Sequence, residues 1–487
     1  MTTLNLSRFP SSVLGPERYL TSPLPGVHWI ALASVLTVSV MMFISRDVTR
    51  LGELLTFLLG ILSARAIART DRHGWLLAVM IAYAMWMLLV DLTVSITPED
   101  VNVEKHQRHY VKQYFFLFAG WWVGGTRWGP NLLLLGGLIG CAAGLAILSN
   151  PEHWIRAVDG SRTDFGFHNA QHTALYAGSC LFALFHLAGE SRNFRDRRLR
   201  LTVLTACTAG GLLCAFILAA TQTRQTWVAL TLAAVCVLLA LSPSWPTLHA
   251  FLRRHRGSSA ALFTVFALIL VTLNPLSGAW QRTANEWEHV EAYVAGETPQ
   301  RYSSITIRLM QWRTAMDFIS DRPLMGYGGR SNGTLMEMSD LPEALKDSYG
   351  HFHNSYLEST LHYGLIGTAL WLIGLLVLFA RGWKAVRKGR LKGLSAVFAV
   401  GWVPYFAGLN LFETYINYES AYFAVFVAGG ALYGLTMHQP VNGSVRSAPR
   451  DGGSVFGRNA PARSAGSPTP GPPPPWRRDA RNRAPSR

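Results

Sequence analysis

Charge is scarce in this sequence. Only 15% of its 487 residues are Asp, Glu, Lys or Arg, against roughly 25% in soluble domains, and that shortfall excludes an ordinary water-facing globule. Acidic residues are the scarcer sign, 28 against 44 Lys and Arg, for a net charge of +16. Cysteines number five (Cys141, Cys180, Cys207, Cys214 and Cys236), all in apolar stretches. None stands in a CxxC or Cys/His spacing, which excludes a zinc module and leaves them as small core residues. No D-x-D or H-E-x-x-H motif occurs, so the side chains that usually hold a divalent ion are missing and no metal site is expected. A cleavable signal peptide is not expected either: the first apolar run starts after about 26 polar or mixed residues and is long enough to stay in a membrane.

What the sequence has in quantity is apolar surface. Half of its residues are hydrophobic, and runs of about 20 residues, the length that crosses a bilayer as a helix, recur along most of it. The reading is an all-α, polytopic membrane protein. By sliding hydropathy about twelve spans are expected between 27 and 436, the fourth (111–125) being the shortest. The basic residues collect in "ESRNFRDRRLR" (190–200), "FLRRHRG" (251–257) and "RGWKAVRKGRLKG" (381–393). The positive-inside bias puts all three connectors in the cytoplasm, and both termini with them. That placement excludes nucleic acid as the reason for the charge. One short external turn, "SRDVTR" (45–50), breaks the pattern by carrying Arg46 and Arg50.

The expected organisation is a cytoplasmic segment (1–26), nine spans (27–274), a large external loop (275–354), three spans (355–436) and a basic tail (437–487). The tail is rich in Gly, Pro, Ser, Ala and Arg, too poor in apolar surface to fold, with arginines suited to anionic membrane lipids. Inside the loop, "SSITIRLMQWRTAMDFIS" (303–320) has helical periodicity and ends at the breaker "DRPLMGYGG"; "ANEWEHVEAYVAGE" (284–297) is a weaker helix.

Polar chemistry gathers at the outer ends of the spans. In "HFHNSYLEST" (351–360), His351, His353 and Asn354 stand just before the tenth span, where Ser355 and Glu358 form an S-x-x-E capping box. A helix N-terminus attracts anions, and a histidine beside it can exchange protons near neutral pH. Arg224 lies in the tiny external turn "TQTRQTW", and Arg308 in "RLMQW" stands four residues before Trp312. Two guanidinium groups, an imidazole and a helix N-terminus suit an anionic diphosphate.

The pattern H-N, nine residues, G-x-x-G, here His353, Asn354, Gly364 and Gly367, resembles the signature of the O-antigen ligase family, within the superfamily of those ligases, Wzy-type polymerases and protein O-oligosaccharyltransferases. "RLMQWRTAMDFISDRPLMGYG" is similar to that superfamily's R-x3-W and P-L-x-G-x-G approach, and "TQTRQTWVAL" to its arginine turn. The resemblance covers about 215–370. "RTDFGFHNAQHTALYAG" (162–178), with Arg162, is similar to a further family turn, departing from it at His168 and His172.

The resemblance implies a GT-C-like membrane glycosyltransferase of the bacterial inner membrane, its active site facing the periplasm. It would move a preassembled glycan from undecaprenyl diphosphate to lipid A-core in an inverting, metal-independent step without a cofactor. His353 would then be the base, Arg224 and Arg308 would hold the diphosphate, and Asn354, His351, Arg162 and His168 would support them. A Wzy-type polymerase and a protein O-oligosaccharyltransferase share this donor handling. A lipid-linked glycan transporter would instead carry its polar chemistry near the bilayer midplane.

Overall fold

In the structure, a computed structural model, the described residues are 25–71, 73–96, 103–124, 128–242 and 302–437. The chain divides into two units, Met1–Gln439 and Pro440–Arg487. The second, with the expected tail, lies outside the described residues, as do the segment 1–24, the span at 258–274 and the helix at 284–297.

Among the described residues every regular element is helical, as expected of an all-α chain. In order they are α1 (Pro25–Met41), α2 (Arg46–Leu62), α3 (Ala64–Thr70), α4 (Leu76–Thr93), α5 (Val103–Lys112), α6 (Phe116–Gly124), α7 (Gly129–Leu148), α8 (Pro151–Val158) and α9 (Ala170–Glu190). There follow α10 (Arg197–Ala220), α11 (Arg224–Leu241), α12 (Ser304–Asp321), α13 (Asn332–Met338), α14 (Glu343–Ser348), α15 (Ser355–Arg387), α16 (Leu394–Asn410), α17 (Glu419–Ala424) and α18 (Gly430–Thr436). Five of these, α4, α7, α10, α11 and α15, are long and apolar enough to cross a membrane, with Val27–Met41 and Leu394–Asn410 as shorter apolar helices. Together they make this a multi-pass membrane protein. The fourth expected span is not one helix: a turn at 113–115 separates α5 from α6.

Apolar side chains point outward as well as inward, as a lipid solvent allows. Leu62, Leu92 and Leu376 are 79%, 76% and 63% exposed. Burial inside the bundle instead comes from aromatics and close helix approach: Trp122, Trp371 and Trp402 are almost wholly enclosed. Helix α6 packs on α18 through Gly120 and Gly430, where a Cβ on Gly120 would lie 2.8 Å from the Gly430 carbonyl oxygen. Small residues permit such contact where hydrophobic burial contributes little.

Helix α15 sets the geometry of the polar end. Gly364 interrupts it with φ 67° and ψ −177°, a left-handed backbone that L side chains resist. The kink hands three carbonyls to other donors: Leu361 O accepts from Tyr327 N (2.7 Å), His362 O from Gly328 N (2.9 Å) and Tyr363 O from Trp86 Nε1 (2.8 Å). In return Leu365 N donates to Pro323 O at 2.8 Å. The loop "PLMGYGG" thus docks into the G-x-x-G break. At its other end α15 runs to Arg387, and Arg381, expected in a solvated basic connector, is 5% exposed. Its Nη1 lies 3.1 Å from Asp71 Oδ1, and its guanidinium lies over the Tyr433 ring.

Alanine at Gly364 would bring Cβ to 1.9 Å from Leu324 O, whereas at Gly211 the nearest atom would be 3.8 Å away. Gly364→Ala is therefore expected to lower stability by roughly 3 kcal/mol, and Gly211→Ala to lower it far less, as read from Tm values of the detergent-solubilised protein. Equal Tm values for the two variants would contradict the docking role of the kink.

Candidate functional site

Four connectors meet at the end of the bundle where α15 begins. The 350–354 turn, the 162–170 turn, the 221–223 turn before α11 and the 411–418 turn between α16 and α17 are joined by hydrogen bonds from side chains. Gln225 Nε2 donates to the Tyr415 hydroxyl at 3.0 Å, and that hydroxyl donates to Gln171 O at 3.0 Å. Arg162 Nε donates to Thr221 O at 3.2 Å, Ser355 Oγ to Glu413 O at 2.9 Å, and Trp312 Nε1 to Phe352 O at 3.1 Å.

The start of α15 is where the sequence placed it, but the cap is a different residue. Asn354 is the N-cap, its Oδ1 accepting from Tyr356 N (2.9 Å) and Leu357 N (3.2 Å). The expected Ser355–Glu358 box does not form, because the Glu358 carboxylate turns inward to accept from Phe352 N at 3.1 Å, Asn417 Nδ2 at 3.0 Å and Asn332 Nδ2. Glu358 is fully buried, and a carboxylate at that depth is held by its hydrogen bonds. His353 just before the cap has φ 50°, so the surrounding bonds hold it in a sparsely populated backbone region.

The centre of the site is Glu413, which the sequence did not single out. It is 1% exposed. His351 Nε2 lies 3.1 Å from its Oε1, Thr414 N donates to the same oxygen at 3.0 Å, and His353 Nδ1 approaches it at 3.5 Å. The two imidazoles are 4.2 Å apart, centroid to centroid. These three side chains also form the one set of His and Glu groups among the described residues able to ligate a metal ion. The motif-based expectation of no such cluster could not see it, since Glu413 is far along the chain from both histidines. The contacts observed are those of a hydrogen-bonded ion pair.

Electrostatics divides the two histidines. Burial pushes the His351 imidazole toward neutrality, but the hydrogen bond and charge of Glu413 outweigh it and raise its pKa above the ordinary 6.5. For His353 burial wins, Glu413 offsets it only in part, and the charges of His351 and Arg308 add to it, so its pKa falls below 6.5. Burial would raise the Glu413 pKa, yet the two histidines hold it well below 4.5. The stable form is His351⁺ paired with Glu413⁻ beside a neutral His353.

Of the residues expected at the site, His351, His353 and Arg308 come together. Arg308 is anchored by Nη1 to Ser304 Oγ at 2.7 Å on the first turn of α12, with its charge in range of both histidines. Arg224 is the first residue of α11, next to Gln225, and half-buried. Arg162 braces the Arg224 turn, and Asn354 is a helix cap. His168 stands in the wall of a cavity of about 950 Å³, against His172 and Tyr418 at centroid distances of 4.8 Å each.

The described residues define an all-helical, multi-pass membrane protein with a His–His–Glu cluster where its loops converge. Residues 209–372 match the family model described as O-antigen ligase, and this segment is similar to that family, whose members are enzymes of the ligase and polymerase type with glycosyltransferase chemistry. Arg224, Arg308, His353 and the Gly364 kink all fall inside the match; Glu413 falls outside it. No curated protein matches the chain.

A raised His351 pKa has a sign that can be tested. Protonated His351 contributes stability that is fully present below its unfolded value near 6.5 and is lost as pH rises through the higher folded value. The Tm difference between the native chain and His351→Gln is therefore expected to be larger at about pH 5.5 than at about pH 8.5. A difference that grew with pH would contradict the ion pair.

Proposed function

We propose that this protein is an O-antigen ligase that transfers a preassembled glycan from undecaprenyl diphosphate to the lipid A-core oligosaccharide, with the loop-convergent end of the bundle in the periplasm and both termini in the cytoplasm. The observation that carries the reading is a half-buried imidazole, His353, held against Glu413 at 3.5 Å and in range of the Arg308 charge, inside the matched segment. The orientation is supported by the basic stretches at 190–200 and 381–393, which lie at the ends of α9 and α15 far from the site.

In this mechanism the acceptor hydroxyl attacks C1 of the glycan as the bond from C1 to the diphosphate oxygen breaks, in one displacement that inverts the anomeric centre. Negative charge grows on the leaving phosphate, and Arg224 and Arg308 stabilise it there, the larger share of the catalysis. With His353 Nδ1 turned to Glu413, Nε2 is the nitrogen that takes the hydroxyl proton. Glu413 orients the ring and stabilises the imidazolium that forms, while His351⁺ keeps Glu413 ionised. Two guanidinium groups take the place a divalent ion holds in other transferases, so the reaction is metal-independent. Polymerase and protein-glycosylating activities would use the same donor chemistry with another acceptor.

The purified chain, given a lipid diphosphate-linked glycan and lipid A-core, is expected to transfer the glycan in the presence of EDTA. His353→Gln, Arg224→Gln and Arg308→Gln should each lower kcat by about 10² to 10⁴. Activity lost in EDTA and restored by Mg²⁺ would overturn metal independence. Glycan moved to a second donor or to a pilin in preference to lipid A-core would replace the ligase reading with a polymerase or protein-glycosylating one.

A further inference from the structure

The cavity of about 950 Å³ beside His351 is lined by Arg46, Arg330, His168 and His172 among others, and the single carboxylate among the described residues of its wall is Glu419. Neither Arg224, Arg308 nor His353 is among the described residues lining it. We propose, building on the transfer reading above, that this cavity holds the acceptor and that the acceptor carries a phosphate or carboxylate on a sugar near the hydroxyl that is glycosylated, recognised by Arg46 and Arg330.

Position and charge argue for this independently. Arg46 was the exception to the topology pattern, a cation in a short external turn, and the cavity accounts for it. It opens α2, whose N-cap Ser45 accepts from Val48 N and also lines the cavity, so a guanidinium and the positive end of a seventeen-residue helix face the same space. The neighbouring Asp47 does not neutralise it, lying instead 3.5 Å from Arg50. Arg330 approaches on a different element. It follows directly on the loop docked in the Gly364 kink and takes φ 60°, a conformation fixed by Gly329 N donating to Asp91 Oδ1 at 2.6 Å and Gly328 N to His362 O. Left-handed backbone at a non-glycine residue persists where its surroundings hold it, and here it directs an arginine to the cavity. A third group points to a ligand. His172 is 1% exposed, its Nδ1 is 2.6 Å from Ser420 Oγ, and its Nε2 is buried with no hydrogen-bond partner among the described residues.

The donor diphosphate is assigned to Arg224 and Arg308, outside the cavity wall, so the cavity serves the other reactant. The histidine pair borders both compartments: His351 lines the cavity, and His353, in ring contact with it, feels the Arg308 charge. An in-line displacement places the acceptor hydroxyl and the leaving diphosphate on opposite sides of C1, with the base on the side of the hydroxyl.

The experiment uses the purified full chain, a lipid diphosphate donor bearing an uncharged glycan, and lipid A-core acceptor either intact or with its core phosphates and carboxylates removed. The native chain is expected to prefer the anionic acceptor. Arg46→Gln and Arg330→Gln should lower that preference, as the ratio of the two kcat/KM values, by about tenfold or more, with Arg330→Lys keeping part of it. The donor KM should move less than the acceptor KM. Variants that keep the native preference, or that raise the donor KM instead, would overturn the assignment, as would a preference that follows the charge of the donor glycan. A native chain that transfers to neither acceptor would overturn the transfer reading itself, and this inference with it.

Discussion

The polar end of this molecule depends on one buried carboxylate. Glu413 sits almost wholly out of solvent on the turn between α16 and α17, where a charge is tolerable only with hydrogen bonds and an opposite charge close by. His351 supplies both, at 3.1 Å, with a backbone amide from Thr414 at 3.0 Å. Meeting that requirement pins the turn before α15 to the turn after α16. It also fixes the protonation of the whole cluster: the proton rests on His351, and His353 is left neutral. A base is useful only if unprotonated at working pH, so the ion pair and the candidate chemistry are one constraint.

Around that centre the other loops are located by backbone devices. The Gly364 break in α15 would be a defect in an isolated helix, but it creates acceptors for the loop that carries Arg330. The Tyr415 hydroxyl joins the first turn of α11 to the start of α9. These interactions are short-range and cross-linked, so residues from 45 to 420 reach one region.

Much of this was legible in the sequence where the physics is local. Helical periodicity gave α12 as 303–320 against the observed Ser304–Asp321, and apolar length gave the long spans. The order of Arg224, Arg308, Trp312, His353 and the glycines identified the family segment. What was not legible depends on tertiary partners. Glu413 in "LFETYINYES" belongs to no spacing pattern, and its importance appears only when two histidines fold over it. Glu358 satisfied the capping rule on paper, yet three donors in the fold outcompeted the helix end for its carboxylate. Nothing local in the glycine pair announces that Gly364 adopts positive φ. The topology exception at Arg46 was visible as an anomaly, but its meaning needed the cavity.

The central claim is that a lipid diphosphate is held by Arg224 and Arg308 with its reacting carbon within reach of His353. An experimentally determined structure of the full chain with an undecaprenyl diphosphate glycan bound tests it most directly. The account predicts both guanidinium groups on phosphate oxygens and His353 Nε2 facing the anomeric carbon from the opposite side. Phosphates bound elsewhere, such as at the Arg381 end of α15, would contradict it.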